Sequence, residues 1–308
     1  MLIRIGTRRS PLAQAQARWV VGQLQLHHPG LEIELAYITT SGDRDTEKKQ
    51  DAPPHLPIVA SAPTPLSNLK AAFTKEIEEA LLEKKIDIAV HSMKDLAVEM
   101  PKGLMIGAVP LREDPWDVWV SKNGSAFKDL PKEAKIGTGS IRRAVQIKHY
   151  RTDLQILPLR GNVETRLRKL TEGSYDGIVL ALAGMKRLGL NTFTEVLPRE
   201  IMLPAVGQGA LAIQIREGED SISQLISSLN HRDSQLAITA ERTFLKAMGG
   251  TCQTPMAAYA DIQKSILTIQ GVMSSREGSH YRSTVCSGPC EDAEAIGMRL
   301  ALNLQKLS

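Results

Sequence analysis

The segment Lys135-Ile136-Gly137-Thr138-Gly139-Ser140-Ile141-Arg142-Arg143 decides the fold that the sequence predicts. A short apolar strand leads into a glycine-rich turn, and a helix is expected to begin at about Ser140. The N-terminus has the same plan, because Ile5-Gly6-Thr7 precedes a helix with Ser10 as its N-cap and Pro11 in its first turn. Two copies of one strand–turn–helix unit indicate two α/β lobes of similar construction.

A second pair of segments shows the same relationship. Asp87-Ile88-Ala89-Val90 leads to Met93-Lys94, and Asp176-Gly177-Ile178-Val179 leads to Met185-Lys186. Each match alone is open to chance, because any two α/β units share such features. Together the matches favour two lobes facing a cleft, as in the two-domain periplasmic binding proteins.

Strands and helices alternate along most of the chain, which is typical of an α/β fold. We predict two periplasmic-binding-protein-like lobes with mixed sheets and a smaller C-terminal α/β domain. Lobe 1 comprises residues 1–110 and 211–230, lobe 2 comprises residues 111–210, and the C-terminal domain comprises residues 231–308. Residues 43–68 are charged and then rich in Pro, Ala and Ser, which predicts a long loop.

The predicted elements follow from apolar runs and helical periodicity. Strands are predicted at residues 2–5, 31–39, 86–91, 135–138, 154–159, 177–182, 211–215, 256–260 and 266–272. Helices are predicted from Ser10 and Ser140, at residues 73–84, 163–170, 183–188 and 234–247, and from Glu291.

The composition is that of a globular protein with 308 residues, 42% of them hydrophobic and 23% charged. Aromatic residues make up only 4%, which argues against a surface that stacks nucleic-acid bases. A signal peptide and a membrane-spanning run are both missing from the pattern, so we expect a cytoplasmic protein without membrane contact. Three cysteines do not form an even-numbered disulfide framework, and the pair Cys286 and Cys290 lacks further ligands for a metal.

Arginines and hydroxyl groups cluster where predicted strands give way to helices. Free backbone N–H groups at a helix N-terminus bind anions, and the arginine fork matches carboxylates and phosphates. The candidate anion-binding residues are Arg8, Ser10, Thr138, Ser140, Arg142, Arg143, Arg160, Arg166 and Arg187. Any single arginine could equally lie on a solvated helix face, but the clustering of the whole set at strand ends favours a polyanionic ligand.

Two further residues are candidates for chemistry. Asp95 follows a predicted buried strand in the sequence His91-Ser92-Met93-Lys94-Asp95, where it is suited to proton transfer or to stabilising a cation, although it could also cap the next turn. Cys252 lies in the glycine-rich sequence 248–255, which allows a ligand to approach closely and to be tethered through the thiol. An inert buried thiol is the ordinary alternative.

A series of ordered motifs resembles the porphobilinogen deaminase (hydroxymethylbilane synthase) family over essentially the whole chain. The motifs are GTRRSPLA at 6–13, IDIAVHSMKD at 86–95, LREDP at 111–115, GTGSIRR at 137–143, LRGNVETRL at 159–167, AGMKRLG at 183–189, LPAVGQGA at 203–210, NHRD at 230–233, TAER at 239–242, and Cys252-Gln253.

The resemblance implies a specific transferase reaction. The cysteine of the family carries a dipyrromethane cofactor through a thioether, and four porphobilinogen molecules are added to it head to tail with loss of ammonia. Hydrolysis then releases hydroxymethylbilane for tetrapyrrole and haem biosynthesis. The alternatives from the residues alone are a non-catalytic two-lobed protein that binds carboxylates and a nucleic-acid binder.

By resemblance, Asp95 is the catalytic residue and Cys252 is the attachment point of the dipyrromethane. The residues that match the family's cofactor- and substrate-binding positions are Arg8, Ser10, Ser92, Lys94, Thr138, Ser140, Arg142, Arg143, Arg160, Arg166, Arg187 and Gln208. No metal and no nucleic acid are expected, and the family implies a monomer. The long loop at 43–68 lacks the glycines of the family's lid, and Gly139 stands where a serine is common.

Overall fold

The computed structural model describes residues 2–43, 67–250, 254–276, 278 and 280–307. Its strands are β1 (Leu2–Arg8), β2 (Glu32–Ile38), β3 (Ile88–Ser92), β4 (Leu104–Ala108), β5 (Asp117–Ser121), β6 (Lys135–Gly137), β7 (Gln155–Leu157), β8 (Gly177–Ala181), β9 (Glu195–Val196), β10 (Leu211–Arg216), β11 (Met256–Gln263), β12 (Ile266–Met273) and β13 (Arg282–Pro289). Its helices are α1 (Pro11–His27), α2 (Ser67–Leu82), α3 (Ile141–Tyr150), α4 (Val163–Thr171), α5 (Leu182–Arg187), α6 (Asp220–Ser227), α7 (Arg232–Ala247) and α8 (Ala293–Lys306).

Two five-stranded mixed sheets share one topology. The first has the order β2-β1-β3-β10-β4 and the second has the order β7-β6-β8-β5-β9. In each sheet the first three strands are parallel, and the fourth runs antiparallel to its neighbour. The predicted mixed-sheet α/β architecture is therefore confirmed, including the likeness between its two halves.

The chain passes between these sheets twice. It leaves the first sheet after β4, builds the second sheet, and returns to the first as β10. The two connecting segments contact each other, since Glu113 N donates to Gly209 O at 3.3 Å and the guanidinium Nε of Arg112 donates to Gln208 O at 2.9 Å. These two hydrogen bonds hold the connecting segments against each other.

The third sheet is smaller and fully antiparallel, with the order β11-β12-β13. Helices α7 and α8 pack on it around a core that includes Phe244, Ile269 and Leu300. The predicted smaller α/β unit at the C-terminus is confirmed in its secondary structure. Strand β13 was not predicted, because its exposed and buried residues alternate without a continuous apolar run.

The helix starts follow local sequence rules. Ser10 caps α1 by accepting a hydrogen bond from Ala13 N at 3.4 Å, and Pro11 takes the first helical position. Ser140 caps α3 in the same way, since its Oγ accepts from Arg143 N at 3.4 Å. The predicted N-cap at Ser10 and the predicted helix start at about Ser140 are thus confirmed, and they place the ends of β1 and β6 beside helix N-termini.

Candidate active site

The carboxyl ends of β1 and β3 frame a small cavity of about 50 Å³. Arg8 ends β1, Ser10 caps the helix that follows, and Ser92 ends β3. Asp95 lies at the end of the short 3₁₀ turn Met93–Asp95 that continues from β3. All four residues line the cavity. The structure therefore brings the predicted acid, Asp95, together with the guanidinium of Arg8 and the hydroxyl of Ser10.

A buried hydrogen-bond chain begins at His91, which also lines the cavity. The Nε2 of His91 lies 2.9 Å from the side-chain oxygen of Gln214, whose amide nitrogen donates to the Glu78 carboxylate at 3.1 Å. Desolvation lowers the pKa of His91 to about 4, so the ring is neutral at pH 7. Ser92 is oriented separately, because its hydroxyl and the side-chain amide of Gln16 approach at 2.8 Å. Sequence reasoning found Ser92 but not Gln16, which lies one helical turn beyond the α1 N-terminus.

Arg8 is already paired within the protein. Its Nε donates to Asp43 Oδ1 at 3.1 Å, and its guanidinium carbon lies 4.4 Å from the centre of the Phe73 ring. Burial opposes the charge of Asp43, but the hydrogen bonds and charge of Arg8 hold the pKa of that carboxyl below its usual value. A ligand carboxylate at Arg8 would therefore compete with Asp43.

The other arginine pair is organised around a buried carboxylate that sequence reasoning missed. Arg142 and Arg143, at the start of α3, each donate to Asp117 at 2.7 Å, one to each carboxylate oxygen. The other terminal nitrogen of each guanidinium donates to a backbone oxygen, from Arg142 to Leu203 and from Arg143 to Val179. Desolvation disfavours the charge of Asp117, yet both guanidiniums hold its pKa well below the usual range. An acidic residue opening the apolar sequence Val118-Trp119-Val120 was the available signal.

Gln208 connects this pair to Lys94. Its amide nitrogen donates to Pro115 O at 2.7 Å and to Asp117 Oδ1 at 2.9 Å, and its oxygen accepts from Lys94 Nζ at 3.3 Å. The glycines on either side adopt φ values of +74° at Gly207 and +89° at Gly209. A Cβ at Gly209 would lie 2.2 Å from the backbone oxygen of Glu113, so the glycine is required for the two connections to meet.

Arg166 and Arg187 have no carboxylate partner within ion-pair distance among the described residues. The Nε of Arg166 donates to Gly161 O at 2.8 Å, and Nη2 of Arg187 donates to Gly209 O at 2.7 Å. Desolvation lowers the pKa of both to about 10, so both remain cations at pH 7. Arg160 is exposed at the turn after β7.

The two hydroxyl residues of the GTGS turn have different positions. Thr138 is fully buried, and its Oγ1 accepts from Ser140 N at 3.1 Å. Ser140 is partly exposed at the α3 N-terminus, and its hydroxyl hydrogen remains available to a ligand. Thr138 therefore shapes the turn, while Ser140 faces the region where an anion would meet the helix dipole.

Lys94 links the two halves of this region. Desolvation lowers its pKa to about 8, while Asp95 and Asp117 favour its charged form and Arg142 and Arg143 oppose it. Asp95 also interacts electrostatically with Arg166 and His91. Asp95 and the cations beside the second sheet, Arg142, Arg143 and Arg166, thus belong to one electrostatic site.

The donor set fits a ligand with several carboxylates. Arg142 and Arg143 share the carboxylate of Asp117, Lys94 is connected to it through Gln208, and Arg166 and Arg187 add further positive charge. The buried Nε of Arg143 has no hydrogen-bond partner within the described part of the chain. Buried donors in proteins are almost always paired, so a water or an anion is the expected partner of this nitrogen. Cys252, the predicted attachment point, lies outside the described residues, as does most of the predicted loop at 43–68.

Family comparisons agree with this chemistry. Residues 3–224 match the family model described as porphobilinogen deaminase, dipyromethane cofactor binding domain, and residues 235–306 match porphobilinogen deaminase, C-terminal domain. The chain belongs to the porphobilinogen deaminase family. Its activity is that of a transferase, hydroxymethylbilane synthase, and its cofactor is dipyrromethane, as the resemblance implied. The non-catalytic alternative is not favoured.

Relatives within the porphobilinogen deaminase family align along nearly the whole chain. The porphobilinogen deaminase of Syntrophotalea carbinolica is 45% identical over 303 residues, covering 98% of this chain and 92% of the relative. That of Syntrophomonas wolfei subsp. wolfei is 46% identical over 305 residues, covering 98% and 94%.

Solved structures give a more distant likeness. The probable amino-acid ABC transporter extracellular-binding protein YtmK of Bacillus subtilis aligns with a TM-score of 0.43 at 13% identity, over 74% of this chain and 90% of that protein. The BenM effector binding domain with benzoate aligns with a TM-score of 0.42 at 17% identity, over the same shares. Among the residues that the structure describes, none of the helices is both long enough and apolar enough to cross a membrane.

Proposed function

We propose that the porphobilinogen deaminase reaction takes place between the carboxyl ends of the two mixed sheets, with Asp95 as the catalytic residue. The supporting observation is that Asp95 and the fully buried Asp117 face four cations here, Lys94, Arg142, Arg143 and Arg166, so that positive charge is in excess. A substrate bearing an acetate and a propionate brings the missing negative charge. A protein that only bound such anions would need the cations but not the acid.

The cations are proposed to bind the side-chain carboxylates of the cofactor and of incoming porphobilinogen. Arg142, Arg143, Arg166, Arg187 and Lys94 would hold these groups, together with the remaining candidates Arg8, Ser10, Ser92, Thr138, Ser140, Arg160 and Gln208. When bound through Cys252, dipyrromethane supplies the electron-rich pyrrole carbon to which the first substrate is joined. Tethering keeps the growing chain on the protein between additions.

Asp95 is proposed to act on the substrate's amine-bearing carbon. Loss of ammonia leaves that carbon electron-poor, and a nearby carboxylate stabilises the positive charge that spreads into the pyrrole ring. The same carboxylate can accept the proton that the ring loses when aromaticity is restored. The His91 ring, which accepts or donates a hydrogen bond at Gln214, is neutral at pH 7 because desolvation lowers its pKa to about 4, so it adds no positive charge beside Asp95.

Each of the three proposed domains would supply a different part of the site. Residues 1–110 with 211–230 would supply Asp95, residues 111–210 would supply most of the arginines, and residues 231–308 would carry Cys252. We also propose that the protein acts as a cytoplasmic monomer, which agrees with a biosynthetic reaction on small polar substrates that needs no second subunit.

Intact-mass measurement of the purified protein tests the function. The protein should exceed its sequence mass by two linked pyrrole units, and Cys252→Ser should remove the excess. Asp95→Asn should keep the excess mass but lose most turnover. An unmodified, active protein would rule out the proposed chemistry.

A matched arginine pair on α4 tests the binding role. Arg166→Gln removes a partly buried cation without a carboxylate partner, whereas Arg168→Gln removes an exposed cation paired with Glu172. We expect KM for porphobilinogen to rise at least about tenfold in the first variant, which corresponds to a charged hydrogen bond of about 1.4 kcal/mol, and to stay unchanged in the second. Equal effects in both variants would contradict the assignment of Arg166.

A further inference from the structure

Asp117 is enclosed by protein on all sides. It opens β5, its residue exposure is 0%, and it faces guanidinium groups from α3 rather than the cavity. Both of its carboxylate oxygens accept hydrogen bonds, Oδ1 from Arg143 and Gln208 and Oδ2 from Arg142. Asp117 therefore cannot touch a ligand, and any effect it has on the reaction must pass through these partners.

The geometry around Asp117 fixes each guanidinium in one orientation. One terminal nitrogen of each arginine points at Asp117 and the other at a backbone oxygen, from Arg142 to Leu203 and from Arg143 to Val179. A planar fork held at two points cannot rotate. The unpartnered Nε of Arg143 is thereby also fixed in place.

Gln208 extends this control to Lys94. Because its amide nitrogen lies against two oxygen acceptors, at Pro115 and Asp117, its side-chain oxygen must face away from them and towards Lys94 Nζ. The amide carries the electrostatic influence of Asp117 to the ammonium group. Lys94 comes from the first sheet and the arginines from the second, so one carboxylate organises cations on both sides of the cleft.

We propose that Asp117 is a positioning residue of the deaminase reaction, which fixes Arg142 and Arg143 directly and Lys94 through Gln208 so that their free N–H groups receive ligand carboxylates. This inference rests on the proposed function. It assigns no contact between Asp117 and substrate or cofactor.

The charge state of Lys94 gives a readout that a purely structural role would not change. Asp95, Asp117, Arg142 and Arg143 are the charged groups that act on Lys94, and desolvation already brings its pKa to about 8. Lys94 binds a carboxylate in its protonated form, so binding is lost as the pH rises through that pKa. Removing the charge of Asp117, or the acceptor oxygen of Gln208, should lower the pKa of Lys94. The alkaline limb of the pH profile, where kcat/KM falls as Lys94 loses its proton, should then move to lower pH.

The experiment compares Asp117→Asn, Asp117→Glu and Gln208→Met with the wild type. Asp153→Asn is the matched control, because Asp153 forms a partly exposed ion pair with Arg151, with 2.7 Å between Arg151 Nη2 and Asp153 Oδ2, and it lies outside the site. Intact mass reports cofactor loading and the distribution of elongation intermediates, and kinetics from pH 6 to 10 report kcat, KM and the alkaline limb.

We expect Asp117→Asn and Gln208→Met to shift the alkaline limb of kcat/KM down by about one pH unit, the equivalent of one charged hydrogen bond. Asp117→Asn should also lower cofactor loading, while the control keeps the wild-type profile. An unshifted limb with normal loading in both variants would overturn the inference.

Asp117→Glu covers the case in which Asp117→Asn does not fold. It keeps the charge but displaces the carboxylate by about 1.5 Å, one C–C bond length. The limb should then stay in place while kcat/KM falls at least about tenfold, since a misplacement near 1 Å is costly. A wild-type kcat/KM in Asp117→Glu, with an unshifted limb in Gln208→Met, would refute the positioning role. A wild-type protein without the two-pyrrole mass excess would refute the proposed function instead.

Discussion

Arg8, which lines the same cavity as Asp95, forms an ion pair with Asp43, with Arg8 Nε 3.1 Å from Asp43 Oδ1. Thr40 holds the same carboxylate, since its hydroxyl donates to Asp43 Oδ2 at 2.8 Å. Asp43 thus occupies the guanidinium that the family resemblance assigns to a ligand carboxylate. If Arg8 binds a ligand carboxylate as proposed, that ligand displaces Asp43, whereas within the described part of the chain Arg166 and Arg187 have no carboxylate partner to displace.

Removing that competitor should strengthen substrate binding. Asp43→Asn leaves Arg8 without its charged partner, and we expect KM for porphobilinogen to fall about two- to fivefold, the worth of a partly exposed pair. Glu79→Gln, which removes an exposed acid of α2 paired with Lys75, is the control. An unchanged or higher KM in Asp43→Asn would show that the pair positions Arg8 rather than competing for it.

The low pKa of the buried His91 predicts that the free energy of unfolding falls at acid pH. Its folded pKa of about 4 lies below its unfolded value of 6.5, so the unfolded chain binds more protons between these pH values. Its contribution is therefore complete above pH 6.5 and is lost as the pH falls towards 4, by up to about 3 kcal/mol. His91→Gln should lose less free energy of unfolding than the wild type between pH 7 and 4.5 in denaturant titrations. His27→Gln, at an exposed position on α1, should behave as the wild type does.

A side chain at Gly139 would require the neighbouring backbone to shift in this structure. A Cβ there would lie 2.7 Å from the backbone oxygen of Leu159, on the neighbouring strand-to-helix turn. Gly139→Ala should lower the free energy of unfolding by about 1–3 kcal/mol through overpacking and displace the turn that carries Ser140. Gly22→Ala in α1 is the matched control, since nothing lies within 4 Å of its Cβ, and it should be neutral or stabilising. Equal melting temperatures for the two variants would contradict this account.

Glu241 should be the costliest acid to remove outside the site. Its carboxylate accepts from Arg112 at 2.6 Å, from Gly207 N at 2.7 Å and from Ala260 N at 2.9 Å, and it is fully buried. It therefore joins α7, β11 and both connections between the sheets. Glu241→Gln should cost about 3–5 kcal/mol of unfolding free energy, because it leaves Arg112 buried and uncompensated.

Glu291→Gln provides the comparison for that variant. Glu291 pairs with Arg232 at 2.8 Å on the surface, and its removal should cost no more than about 1 kcal/mol. Chemical denaturation of both variants at one ionic strength measures the difference. A similar loss in each would mean that burial contributes nothing at Glu241.

The sequence predicted what depends on local order along the chain. The cap at Ser10, the helix start at about Ser140 and the repeated strand–turn–helix unit follow from neighbouring residues, and the structure confirms them. Strand β5 was missed because its apolar run is only three residues long, next to charged and proline residues. Helix α6 was missed because it is only eight residues long, although Ile222 and Ile226 follow the helical period, and the short apolar strand β4 was missed as well.

The sequence predicted which residues form the site, but it did not predict which of them form ion pairs with one another. Sequence reasoning named Arg142 and Arg143, yet it could not show that both share Asp117, which lies 25 and 26 positions away and meets them only after β5 and α3 pack together. The same holds for Arg8, whose partner Asp43 follows β2. Long-range pairing depends on the tertiary fold, which no local pattern encodes.

The anchoring of Arg166 and Arg187 to backbone oxygens has a practical consequence. These cations keep their places when no ligand is bound, so small multivalent anions in the medium will occupy them. Citrate or phosphate should slow the enzyme more than chloride does at equal ionic strength. The choice of buffer salt will then alter measured rates by competition for specific positions, beyond general screening.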